Sequence, residues 1–124
     1  MTEASDLLDR WHRAIHLFNS QDFYACHDVL EDMWHDAPLS DRNFYQGILQ
    51  IAVGCYHGQN RNHFGAMALI GAGMANLRPY QPLYYGLDTT LLIQESQQIW
   101  HNLSQGIFPD RLPTLTFPLA PHTA

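Results

Sequence analysis

The chain has 124 residues, 46% hydrophobic and 15% charged, which is enough apolar material for one core, too little for two, and too uncharged for a disordered chain. Twelve acidic residues against six basic ones give a net charge of -6, the wrong sign for a protein that holds a phosphate backbone, so no nucleic-acid partner is expected. All six basic residues are arginine, and without lysine there is no Schiff base, no Walker-type phosphate lysine and no Ser-Lys dyad. Two cysteines, Cys26 and Cys55, are too few for a stapled secreted scaffold, and MTEASDLLDR lacks the basic start and apolar stretch of a signal peptide, so a reducing cytoplasm is the expected compartment. Residues 43 to 60 carry no charge, but Asn43, Gln46, Gln50, His57, Gln59 and Asn60 interrupt them, and no membrane span is expected.

Hydrophobic spacing predicts five helices and no strand of two-residue alternation, so the expected fold class is all-α, a compact single-domain bundle. Ser5 is a candidate cap for a first helix in which Leu7, Leu8, Trp11, Ile15 and Phe18 recur at three- and four-residue steps up to Asn19-Ser20. Asp22 is placed to cap a second helix running to about His35. Phe23, Cys26, Leu30, Met33 and Trp34 form its buried stripe, Asp28, Asp32 and Asp36 face water, and Pro38 ends it. A third helix, from near Asp41 to Gly58 or Gln59, is apolar or small over most of its circumference and belongs mid-bundle.

The fourth helix, about Asn62 to Leu77, is crowded with small residues, and Gly71 and Ala72 are expected to let a neighbour approach closely. A loop with Pro79, Pro82, Tyr80, Tyr84 and Tyr85 leads past Gly86 to a fifth helix, about Asp88 to Ser104, that ends at Gly106. The tyrosines are expected to pack over a bundle end. Residues 1–106 thus form the bundle and 107–124 an extended tail, where Pro109, Pro113, Pro118 and Pro121 interleave with Leu and Phe. The tail is expected along its own bundle, with a partner's groove as the alternative. No internal repeat of about 30 to 45 residues, the mark of a helical solenoid, is visible.

Chemistry-bearing residues concentrate on the second and third helices. His27 and Glu31 share one helical face about 40° apart, with Trp34 nearly in line with His27. Gln46, Gln50 and His57 fall within an arc of about 40° on the third helix, a polar stripe on an uncharged segment. Outward faces usually carry charge, so the stripe is expected to face Glu31 inside the bundle and to close a buried hydrogen-bond network around it. The same His27, Glu31 and His57 make a two-histidine, one-carboxylate set for a divalent transition metal, with Gln46, Gln50 and Trp34 around it to orient the ligands. A metal-free acid-base role for His27 or His57 lacks a nucleophile and an oxyanion donor. Cys26 points about 100° away from His27, and both cysteines read as small core residues. His12, His16, His35, His63, His101 and His122 are assigned no role.

The stretch FNSQDFYACHDVLEDMWHDAP followed by FYQGILQIAVGCYH resembles the family of small bacterial and archaeal helical proteins catalogued as domain of unknown function 309. Over roughly residues 14 to 104 the pattern is Phe18-Asn19, His27, Glu31, Trp34, Gln46-Gly47, His57, Gly65-Ala66 and Gly86-Leu87-Asp88, in that order. The resemblance implies an all-helical fold and singles out the same His27, Glu31 and His57; it implies no reaction. Cys26 stands where the family pattern has Ala, and Ala25 where an acidic residue is usual, so Cys26 inherits no catalytic role. Two functions follow. One is a non-catalytic interaction or structural module around the buried His/Glu/Gln network, engaging a protein partner or a second copy. The other is a metal-binding protein or metal-dependent enzyme using His27, Glu31 and His57.

Overall fold

The computed structural model describes residues 3–118, with side chains from Ser5 onward. Five helices follow in chain order: α1 (Glu3–Asn19), α2 (Phe23–Asp36), α3 (Leu39–Gln59), α4 (His63–Leu77) and α5 (Thr89–Ser104). Between α4 and α5 lie a 3₁₀ turn at Arg78–Tyr80 and a two-residue antiparallel pair, β1 (Leu83–Tyr84) and β2 (Leu87–Asp88). The all-α class holds, and the small strand pair is the departure from it. Tyr85 and Gly86, with φ of 47° and 78°, connect β1 to β2. A two-residue hairpin loop of this hand needs positive φ at both positions and normally announces itself as Asn-Gly or Asp-Gly, a signal that Tyr-Gly does not give.

Helix starts depart from expectation in small ways. α1 begins at Glu3, so Ser5 lies inside it and does not cap. Asp22 occupies the cap position of α2 but its side chain makes no cap bond; its carbonyl accepts from Cys26 N–H at 3.0 Å. Asn62 and Asp88 do cap, their Oδ1 atoms accepting from Gly65 N–H at 3.0 Å and Leu91 N–H at 2.9 Å. α3 starts at Leu39, directly behind Pro38, which is preset for that position.

α3 lies mid-bundle as expected, packed on α2 to one side and on α4 to the other. The close backbone approach falls at Gly73 and not at Gly71. A Cβ on Gly73 would come within 2.6 Å of the Gly47 carbonyl oxygen, whereas one on Gly71 would meet only Trp100, at 3.6 Å. Packing then runs from each helix to its chain neighbour, α1 to α2 to α3 to α4 to α5.

The turns are copies of one another. After α1, the N–H groups of Ser20, Gln21 and Asp22 donate to the carbonyls of His16, Phe18 and Leu17; after α3, those of Asn60, Arg61 and Asn62 donate to Tyr56, Gly58 and His57. Gln21 and Arg61, 40 positions apart, both have φ of 64°. α5 ends the same way, with Gly106 (φ 76°) donating to Leu103 and Ile107 to Asn102. The turns that close the α1–α2 and α3–α4 hairpins therefore share one backbone pattern. Only the backbone turn is copied, and its left-handed positions hold Gln and Arg where Gly is the usual signal, so the sequence hides it.

Among the described residues, no helix or strand follows the turn that ends α5. Residues 107–118 run without helix or strand, and Leu112 and Leu115 bury their side chains in the bundle's core. The end of the expected tail, with Pro121 and His122, lies outside the described residues. No described helix is long and apolar enough to cross a membrane.

Replacing Gly73 with Ala forces α4 away from backbone atoms that have no rotamer to yield, and is expected to cost about 1 to 3 kcal/mol, read as a lower denaturation midpoint at unchanged slope. An unshifted midpoint would show that α3 and α4 tolerate the wider spacing.

Candidate functional site

α2 brings His27 and Glu31 onto one face, as a four-residue step requires. His27 Nε2 lies 3.2 Å from Glu31 Oε2, and His27 Nδ1 lies 3.2 Å from Asp28 Oδ1. Each ring nitrogen thus faces a carboxylate, and only the imidazolium can donate to both. The Glu31 side chain is 50% exposed, so the closed interior network expected of His27, Glu31, His57, Gln46 and Gln50 does not form. Phe23, Cys26, Val29, Leu30 and Met33 take the bundle-facing side of α2, which leaves the carboxylate at the rim, where water solvates it at no desolvation cost.

Gln50 turns the other way, its Oε1 accepting from Asn76 Nδ2 of α4 at 2.7 Å. Gln46 is half-buried. Trp34 lies under the Arg42 guanidinium, 5.4 Å from its ring centre, an exchange of hydration for a cation–π contact. His57 shares with His27 a small groove of about 100 Å³ walled by Tyr24, Val53 and Tyr56. The ligand atoms that lie within 4.8 Å of one another, however, are those of His27, Asp28 and Glu31.

A second polar site, around Asp41, has no counterpart in the sequence reading. Asp41, 4% exposed in the first turn of α3, accepts from the hydroxyls of Tyr84 and Tyr85, one on each carboxylate oxygen. Tyr80 O–H donates to the Ser40 carbonyl at 2.8 Å, and the rings of Tyr80, Tyr84 and Tyr85 gather on Phe44. The tyrosines cover a bundle end as expected, but through a buried carboxylate that needs their donors and gains from the helix N-terminus. The bonds to Asp41, with burial behind them, raise both phenol pKa values, that of Tyr85 to about 12. Burial likewise pushes Tyr45 and both thiols up to about 12, so Cys26 and Cys55 are inert small core residues.

Tyr85 holds a backbone conformation that bulky residues rarely adopt, with φ of 47°, yet its side is half-open to solvent at 55% exposure. Its ring walls an open, mostly apolar groove of about 430 Å³ together with Leu7, Leu8 and Trp11 of α1 and Tyr45 of α3.

The α1–α2 and α3–α4 hairpins overlap a family model. Residues 11–69 match the family model described as Domain of unknown function (DUF309). Over those residues the chain is similar to that family. A relative, the "Uncharacterized protein YpuF" of Bacillus subtilis (strain 168), is 29% identical over 89 residues, covering 68% of this chain and 50% of the relative. The chain thus spans about half the length of the curated relative it matches. The match takes in His27, Glu31, His57 and Asp41 and stops within α4, before the tyrosine hairpin, α5 and the tail.

The phenols of Tyr84 and Tyr85 hold their protons more tightly in the folded chain than in the unfolded one. Their contribution to stability is complete below the ordinary tyrosine value of about 10 and is lost as pH rises toward 12 at Tyr85. Asp41→Asn is expected to bring tyrosinate absorbance in at lower pH and to flatten the loss of stability between pH 10 and 12. An unmoved titration would detach the phenols from Asp41.

Proposed function

We propose that the protein is a non-catalytic helical interaction module that engages a polypeptide through the groove between α1, α3 and Tyr85. One observation carries this reading: Tyr85 occupies a strained backbone conformation, its hydroxyl is tied to the buried Asp41, and its ring stands at the wall of an open apolar groove. Strain at a surface aromatic persists only where the surroundings over-determine it, and an aromatic ring fixed before binding loses little entropy when a partner covers it. Leu8, 52% exposed on the opposite wall, adds apolar area that a lone monomer has no use for. Two free, buried thiols fit a reducing, cytoplasmic setting.

The test is a photo-crosslinking residue placed at Leu8 in the living cell, with Asp32 on the exposed face of α2 as the control position. A discrete polypeptide adduct is expected from position 8, lost with Tyr85→Ala and absent from position 32; an adduct of twice the chain's own mass identifies a second copy as the partner. No adduct from position 8 would end this reading.

A second reading, divalent transition-metal binding by His27 and Glu31 with His57 recruited from the small groove it shares with His27, is favoured at the first two ligands by a specific spacing. The 3.2 Å between His27 Nε2 and Glu31 Oε2 is what two adjacent ligands adopt around an ion with bonds of about 2.0 to 2.2 Å, and Asp28 on Nδ1 supplies the carboxylate that orients a ligating histidine. Untagged protein is then expected to take up about one equivalent of zinc by elemental analysis. Glu31→Ala should abolish uptake while moving stability by less than about 1 kcal/mol, as befits an exposed pair. Uptake that survives both Glu31→Ala and His57→Ala would place any metal elsewhere.

A further inference from the structure

Three helices, α1, α3 and α5, are touched by one extended segment of the same chain. Residues 107–118 leave α5 through the turn that also ends α1 and α3, but continue without helix or strand. Their main chain is held at consecutive residues. Thr114 N–H donates to Glu95 Oε1 of α5 at 3.3 Å. Leu115 N–H donates to Asn19 Oδ1 of α1 at 2.7 Å, and its carbonyl accepts from Asn19 Nδ2 at 3.0 Å. The Thr116 carbonyl accepts from Asp88 N–H at 2.9 Å. Asn19 therefore engages both polar groups of one residue's backbone, a mode of recognition that is blind to the side chain.

Apolar contacts supply the rest. Phe108 lies over Gly58 of α3, where a Cβ would come within 2.3 Å of its ring. Leu115 is 3% exposed, and the Phe117 ring meets Trp11 of α1 edge-on at 6.0 Å. Thr114 points to solvent between them. This is how a bound peptide lies on a helical array: main chain clamped by side chains of separate helices, apolar residues alternating into the face. The segment is also incompletely sealed against the bundle. An open cleft of about 390 Å³ remains between α5, at Gln94, Gln98 and Asn102, and the stretch from Pro109 to Pro113.

We infer that the face formed by α1, α3 and α5 is a receptor for an extended peptide bearing a Leu-x-Phe pair of apolar side chains, and that residues 108–118 are its resident intramolecular ligand. The inference rests on the interaction-module reading and adds to it a second face, beside the Tyr85 groove, with the chemistry of the peptide that face takes. A partner peptide must displace the tail, and the tether sets the tail at an effective concentration on the order of millimolar, so the intact chain is closed to weak or dilute competitors. The Asn19 clamp lies within the family-matched residues, whereas the ligand segment lies beyond them.

The experiment uses the full chain with a site-specific protease sequence inserted between Ile107 and Phe108, past the turn bonds of Gly106 and Ile107. After cleavage both pieces remain in the sample, and a fluorescent synthetic peptide of residues 108–118 is titrated in. The cut protein is expected to keep its helical circular dichroism and to exchange its tail for the labelled peptide saturably, one to one. The uncut chain should bind that peptide at least about a hundredfold more weakly. A peptide with Ser at the positions of Leu115 and Phe117 should fail to bind, a comparison that leaves the protein untouched, and Asn19→Ala in the cut protein should weaken binding about tenfold.

Loss of helicity on cutting would make the tail an obligatory part of the core and overturn the inference. So would a folded cut protein that binds no peptide, or one whose binding ignores the Leu115 and Phe117 positions. If any of these occurs while the adduct from position 8 persists, the interaction-module reading stands and only this assignment falls.

Discussion

Backbone meets backbone where Gly73 of α4 closes on the Gly47 carbonyl of α3, and the placement of everything chemical follows from that contact. Pressing α4 onto one side of α3 fixes the axis of the central helix and leaves its other sides to α2 and to Trp11 of α1, whose ring meets Phe44 and Tyr45. α3 then carries a different piece of surface at each end. Its first turn holds Asp41 and, through it, Tyr84 and Tyr85. Its last turns hold His57 against the groove of His27, and Gly58 beneath Phe108. A rigid central helix 21 residues long keeps these two ends at constant separation, something that loops would not do.

The helices were legible because each rests on a local rule. Apolar spacing over a dozen or more residues and Gly106 at a left-handed stop are read from neighbours a few positions apart, whereas the capping side chains are Asn62 and Asp88 and not the expected Ser5 and Asp22. What escaped was non-local or carried by the wrong letter. The turn shared by the ends of α1 and α3 is a backbone pattern in which Gln21 and Arg61 do the work usually given to Gly, so no comparison of side chains finds it. The β1–β2 pair failed the same way, with Tyr85 in a position that favours Asn or Gly. The close approach of α4 was expected from its small residues, but spacing alone does not say which small residue faces the neighbour, and Gly73 took the place given to Gly71.

The candidate site was legible to the same limit. A four-residue step guarantees that His27 and Glu31 meet, and they do. A helical wheel assigns direction, not depth, and Glu31 fell on the solvent side of a boundary that the stripe through Phe23, Cys26, Leu30 and Met33 had already drawn. Gln50 found its partner on α4 instead of α2 because α3 touches both, and the third helix had been weighed against one neighbour only. Asp41 was read as a helix start because its partners stand 43 and 44 positions away, beyond any local pattern. One clue was present: an acidic residue at a helix start and, two helices later, a proline-rich loop with three tyrosines whose hydroxyls need partners.

Trp11 ties the two surfaces together. One side of its ring faces the open groove with Leu7, Leu8, Tyr45 and Tyr85, while its neighbour at 6.0 Å is Phe117 of the tail. The residue is 9% exposed, so it has little freedom to answer one contact without altering the other. A close-packed ring shifts as a unit, and interiors transmit such shifts without damping them. Asp41 enters this arrangement from the far side: it holds Tyr85, Tyr85 and Tyr45 border the groove, and Tyr45 meets Trp11 at 5.9 Å. The groove that Asp41 helps to wall and the segment held by Asn19 thus meet on one residue, Trp11, which packs on both.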